Sequence, residues 1–212
     1  MVASMSEFQR IDNPYIIGNP LRGGQPFFGR EDNFAYAKQR LRTEREGIVL
    51  VFVGGRRSGK TSIMFQIVDG QLGPDFLPVF IDMQALSGIE GDNEFLSRVA
   101  RTIIESIDDE RLVADYYDFG QGAPIPTFDQ LLGDVNKVFP DRRLLLLVDE
   151  AELLRDRVAR GEISSNVLTF MASALESRRV SYLFTGSPGW RRPRWQSGSG
   201  SSAKARGRRS PS

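Results

Sequence analysis

Gly54-Gly55-Arg56-Arg57-Ser58-Gly59-Lys60-Thr61 follows an apolar run, Ile48 to Val53, and sets two glycines, a lysine and a hydroxyl at the spacing G-x-x-x-x-G-K-T. A strand that turns through glycines into a helix leaves several backbone N–H groups unpaired and pointing into one concavity, which is an anion site. Gly54 and Gly59 allow the backbone to approach phosphate oxygens where a Cβ would clash. Lys60 supplies a mobile charge for the β- and γ-phosphates, and the Thr61 hydroxyl is placed to hold Mg²⁺. A second chemical pair, Asp149-Glu150, ends the aliphatic run Leu144-Leu145-Leu146-Leu147-Val148. Asp149 suits Mg²⁺ held through a water, and Glu150 suits the task of polarising the water that attacks a γ-phosphate.

The first pattern is a Walker A loop and the second a Walker B strand end. The loop has the context the chemistry requires, a β-branched strand before it and the helix-compatible Thr61-Ser62-Ile63-Met64-Phe65-Gln66-Ile67-Val68 after it. The nucleotide-binding set is therefore Gly54, Gly55, Arg56, Arg57, Ser58, Gly59, Lys60, Thr61 and Ser62, with Thr61 and Asp149 as the metal pair and Glu150 and Lys60 as catalytic groups. Asn136-Lys137-Val138-Phe139 begins like the base-reading N-K-x-D of GTPases, but it lacks the acid and precedes Asp149. ATP is the nucleotide expected.

Composition narrows the alternatives. The 212 residues contain neither cysteine nor histidine, which excludes disulfides, thiolate metal sites, Ser-His-Asp triads and imidazole bases. Catalysis is left to carboxylates, lysine, hydroxyls, backbone amides and a hard cation. The N-terminus has no apolar signal region and no apolar run is long enough to span a bilayer, so a cytoplasmic location and no membrane partner are expected. The net charge of +1 is unevenly spread. The last 23 residues hold seven basic side chains and no acidic one, while residues 1–189 hold 21 basic and 27 acidic, a formal charge of −6. The acidic body disfavours nucleic acid as a general partner.

Strands must alternate with helices to carry these groups. The spacing predicts helices over Glu31 to about Glu46, from Thr61, over Asn93 to Ile107, from Thr127 as an N-cap, and over Ile163 to Arg178. Strands are expected at Ile48 to Val53, Leu77 to Asp82, Leu144 to Asp149 and Val180 to Ser187. The stretch from Asp108 to Pro126 reads as an irregular acidic connection, and a polar interval follows Glu150. Such alternation predicts an α/β three-layer fold with a parallel sheet, right-handed crossovers, and ligands at the carboxyl ends of the strands.

Taken in order, Phe28-Gly29-Arg30-Glu31, the glycine loop, Leu144 to Glu150 and Phe184-Thr185-Gly186-Ser187 resemble the AAA+-like P-loop ATPases of the STAND and Orc-like group. The resemblance covers about residues 13–189. It implies that Phe28, Gly29 and Arg30 lie near the adenine and ribose, although the family's h-h-G-R-E-x-E signature has Asn33 at its last position here. An acidic helix start after a glycine turn explains the same residues. Thr185 matches the γ-phosphate sensor after the fourth strand and would join the catalytic set; a strand-capping threonine is the plainer reading. No arginine finger can be assigned, since Arg178 and Arg179 fit a solvated helix end.

The implied organisation is an extended N-terminal segment over 1–26, an ATPase core over 27–189, and a basic, disordered Arg/Ser/Gly/Pro-rich tail over 190–212. In the family's sheet order, 5-1-4-3-2, strand five and the helical lid would be missing, leaving Ile48 to Val53 as a bare edge. The tail is then expected to be a misread or frameshifted end, or alternatively a basic arm for nucleic acid or an acidic partner. The function implied is an ATP-binding and ATP-hydrolysing switch in a larger signalling or assembly protein, engaging other protein domains or itself. A DNA-acting factor of the Orc or transposition-helper type, and a nucleotide-binding fragment with little turnover, are the alternatives.

Overall fold

In each central strand, successive side chains face opposite sides of the sheet and enter two separate cores, as a strand covered on both faces requires. The computed structural model describes residues 31–43, 47–120, 123–190 and 203–204. Strand β1 (Val49–Val53) sends Val49 and Val51 to one core and Leu50 and Phe52 to the other. In β3 (Arg143–Asp149), Leu144, Leu146 and Val148 face the first core, and Leu145 and Leu147 the second. The second core is closed by α1 (Glu31–Thr43), through Ala37 and Leu41, and by α2 (Lys60–Gln66), through Ile63 and Met64. The first is closed by α3 (Asp92–Ile107), α4 (Pro124–Val138), α5 (Ala151–Ala159) and α6 (Ser165–Glu176). Helices on both faces of a parallel sheet make the three-layer α/β architecture expected from the alternating pattern.

The remaining strands are β2 (Phe76–Asp82), β4 (Ser181–Gly186) and a two-residue β5 (Ala203–Lys204). The sheet order is β2-β3-β4-β1-β5, with every pairing parallel. Here one expectation is corrected. The outer edge of β1 is not wholly bare, because at its carboxyl end Ala203 pairs with Phe52 and Lys204 with Val53. Composition could not foresee this, since an edge strand's free N–H and C=O groups accept any extended backbone whatever its side chains.

The helices also differ from expectation. Helix α4 starts at Pro124, not Thr127, because prolines in the first turn lose no hydrogen bond that the helix would have made. Thr127 instead donates its hydroxyl to the Asp118 carbonyl at 3.4 Å. The polar interval after Glu150 is a helix, α5, which buries only Ala151, Leu154 and Arg157 and so gives a weak apolar period. Helix α6 begins at Ser165 rather than Ile163. Among the described residues no helix is long and apolar enough to cross a membrane.

Among the described residues between α3 and α4 the chain is irregular apart from a 3-10 turn, Ala114–Tyr116. It is held to α4 by the Tyr117 hydroxyl, which donates to Asp134 Oδ2 at 3.3 Å. Burial, with the Asp134 carboxylate alongside, pushes the Tyr117 phenol up to about 12, and burial also raises Tyr182. A raised folded pKa contributes stability that is complete below the unfolded value, near 10, and lost as pH rises through the folded one. Urea midpoints are therefore expected to hold steady to about pH 10 and fall above it, with a shallower fall in Tyr117→Phe. Identical profiles for both chains would exclude Tyr117 as a source of the slope.

Candidate functional site

Parallel pairing brings the carboxyl ends of the strands into one row. Asp82 lies opposite Asp149, Phe52 opposite Thr185, and Val53 opposite Gly186. The chain leaves β1 at Gly54, whose N–H donates to the Gly186 carbonyl at 3.2 Å, and turns into α2. Arg57 and Gly59 both adopt left-handed backbone, with φ of 57° and 79°, so Gly59 occupies a conformation that favours glycine. Gly59 is also the N-cap of α2, and its carbonyl accepts the Ile63 N–H at 3.1 Å. Gly55, Arg56 and Arg57 are exposed, Gly54, Ser58, Gly59, Lys60 and Thr61 are half-buried, and Ser62 is buried.

Lys60 arches back over the loop, its Nζ donating to the carbonyls of Gly54 and Gly55 at 2.8 and 2.9 Å. The Ser58 Oγ is buried with no hydrogen-bond partner among the described residues. A buried hydroxyl is ordinarily paired, so this one favours a loop shaped for an added acceptor or donor.

Thr61 Oγ1 donates to Asp149 Oδ2 at 2.7 Å, joining the first turn of α2 to the end of β3. The other carboxylate oxygen of Asp149 accepts the Thr185 hydroxyl and the Glu150 N–H, the latter at 3.1 Å. Thr185 is fully buried, and its Oγ1 also accepts the Glu150 N–H at 3.2 Å. Its hydroxyl is thus directed at the acidic pair. Glu150 is the N-cap of α5 with φ 54° and ψ 48°, a left-handed conformation that costs a non-glycine residue about 1 kcal/mol or more. Two acceptors on its N–H hold it there.

The structure therefore brings Lys60, Thr61, Asp149, Glu150 and Thr185 together. Phe28, Gly29 and Arg30 lie outside the described residues. Arg179 pairs with Asp129 on α4, while Arg178 is exposed with a φ of 61°. Among the described residues no group of three acidic side chains is gathered to hold a metal, so a cation here would rely on one carboxylate, one hydroxyl and oxygens from elsewhere. That donor set suits Mg²⁺, which keeps several waters and takes few protein ligands.

Two contacts had no motif to announce them. Gln84, just past β2, donates from Nε2 to Glu150 Oε2 at 2.6 Å. Glu152 Oε1 accepts the Ser187 N–H at 2.9 Å and so fastens the end of β4 to α5. A clue to the first was available in the position of Gln84, two residues after the last residue of a strand that pairs with the Asp149 strand.

The fold and this site define a class: a three-layer α/β protein with a glycine loop, lysine and threonine after one central strand and an acidic pair ending another. No protein-family model matches the chain, and no curated protein does. One solved structure that it resembles is that of Drosophila ORC bound to poly(dA/dT) DNA and Cdc6, at 13% identity and a TM-score of 0.43, over 74% of this chain. This chain spans 25% of that one's length.

Proposed function

We propose that residues 27–189 form an AAA+-like ATP-binding module that hydrolyses Mg-ATP and serves as a nucleotide-dependent switch for other protein domains. The observation that carries this reading is the Thr61–Asp149 contact of 2.7 Å, which joins the loop to the acidic pair. A glycine loop alone would serve any anion; a hydroxyl and a carboxylate converging beside it favour a phosphate chain with a divalent cation.

In this reading the loop amides and Ser58 receive phosphate oxygens, and Lys60 exchanges the Gly54 and Gly55 carbonyls for the β- and γ-phosphates. Thr61 and Asp149 would hold Mg²⁺. When bound, the cation supplies positive charge against the phosphate oxygens. Glu150 takes the proton of the water whose oxygen bonds to the γ-phosphorus, and the bond to the bridging oxygen breaks to leave ADP and phosphate. Thr185 acts through Asp149 and Glu150, by fixing the carboxylate of one and the N–H of the other. The −6 body keeps nucleic acid a secondary reading.

Calorimetric titration with ATP, with and without Mg²⁺, tests the proposal. Saturable binding that weakens when EDTA removes the metal is the expected result, and no saturable binding in either condition refutes it.

Gln84 restrains the base in this reading, since a donor on Oε2 fixes where the carboxylate points. A hydrogen bond to a charged group contributes about 1.5 kcal/mol, so Gln84→Ala is expected to raise basal kcat by about tenfold. Phosphate release measured under saturating Mg-ATP decides this; a lower kcat would mean that Gln84 aims Glu150 productively instead.

A further inference from the structure

The turn between β2 and α3 wraps around one buried cation. Arg157, on α5, is only 3% exposed. Its Nη1 donates to the Leu86 carbonyl at 2.9 Å, its Nη2 to the Ile89 carbonyl, and its Nε to Glu162 Oε2 at 3.2 Å. The guanidinium carbon stands 5.5 Å from the centre of the Phe95 ring. Within the turn, the Ser87 N–H donates to the Gln84 carbonyl at 3.0 Å and the Ile89 N–H to the Leu86 carbonyl at 3.4 Å. Gln84 is thus hydrogen-bonded into the same short turn whose carbonyls the arginine holds.

Burying a guanidinium costs far more than burying a leucine or methionine of similar volume. A plug for the core would not need charge. What arginine adds is a rigid planar fork that can address two backbone carbonyls and a carboxylate in fixed directions. The far end of the turn is fastened too. The Gly91 N–H donates to the Glu162 carbonyl at 2.8 Å, the Ser164 N–H donates to Asp92 Oδ1 at 2.8 Å, and the Ser164 hydroxyl donates to Asp92 Oδ2.

These contacts close a ring. Glu150 caps the N-terminus of α5, Arg157 lies toward its other end, and the turn held by Arg157 leads back to Gln84, whose side chain meets Glu150. We propose that Arg157 is a positioning residue that sets the reach of Gln84 onto Glu150, so that where the base points depends on how the β2–α3 turn is held against α5. The proposal rests on the reading of Glu150 as the base. A lysine in its place keeps the charge but can address fewer acceptors and none as a fork, so the turn relaxes and Gln84 withdraws.

Two measurements on the full chain test this, using Gln84→Ala, Arg157→Lys, Glu162→Gln and the double variant Gln84→Ala/Arg157→Lys. Without nucleotide, the Gln84 side-chain NH₂ resonance is assigned by its loss in Gln84→Ala. It is expected to move toward the free-amide position in Arg157→Lys and part of the way in Glu162→Gln, which alters only a half-exposed acid and keeps the interpretation open should Arg157→Lys not fold. With saturating Mg-ATP, Arg157→Lys is expected to raise kcat by the same factor as Gln84→Ala, about tenfold, with KM little changed and no further gain in the double variant. A resonance that stays in place in every folded variant overturns the proposal, as does a double variant whose effects multiply. If the wild-type chain neither binds nor turns over Mg-ATP, the reading of the site fails, and the resonance alone still decides whether Arg157 holds Gln84.

Discussion

Lys60→Ala is expected to weaken Mg-ATP binding by about a hundredfold while leaving the chain folded. The ammonium sits at the loop's mouth with its donors already meeting backbone acceptors there, at 2.8 and 2.9 Å from Gly54 and Gly55. Neutral carbonyls hold it, and phosphate oxygens offer the same donors a full negative charge, so the exchange is favourable. Each charge-assisted hydrogen bond contributes about 1.5–3 kcal/mol, and losing one or two of them gives the stated factor. Arg56 and Arg57 do not substitute, because both are exposed and precede the helix that aims Lys60. Calorimetry on wild type and variant measures the loss, and a thermal melt checks the fold. Equal affinities in two folded chains would sink the central claim about this loop.

The loop was legible because its chemistry is local: the glycines, lysine and threonine are contiguous, and their spacing alone dictates the turn and the helix start. The two-core fold was legible for a similar reason, since the apolar runs Val49 to Val53 and Leu144 to Val148 have no polar face and must be covered on both sides. Asp149 was legible as the acid ending an aliphatic strand and as a metal partner of Thr61, though not as a direct contact. Its contact with Thr61 spans 88 positions, and it becomes visible once parallel order sets β3 and β1 in the same sheet with their carboxyl ends together.

Gln84 and Arg157 were not legible. A glutamine in a polar turn carries no periodicity, and its meeting with Glu150, 66 positions on, depends on the register of β2 with β3. An arginine on a short helix reads as a solvated face by every compositional rule. Its burial is decided by the turn that folds over it, whose Met83, Leu86 and Ile89 enter the core and give no sign of the two carbonyls turned toward Arg157. The pairing of Ala203 and Lys204 with β1 was hidden differently, as it uses the backbone alone.

Glu150→Gln separates binding from turnover, and the geometry says why the separation should be clean. Glu150 is fixed by its backbone, with its N–H shared between Asp149 Oδ1 and Thr185 Oγ1 and its φ at 54°. None of these depends on the side chain. Glutamine has the same length, and its amide oxygen can still accept from Gln84 Nε2, so the local arrangement survives. What it cannot do is accept a proton from water. A general base contributes typically 10²–10⁴ in rate, so kcat should fall by at least about a hundredfold. The affinity for Mg-ATP should stay within about twofold, because the loop and the Thr61–Asp149 pair that hold it are untouched. Phosphate release and calorimetry on the same preparation read the two quantities. A variant that retains turnover would remove Glu150 from the chemistry and leave Asp149 and Lys60 acting on a water that the protein only positions.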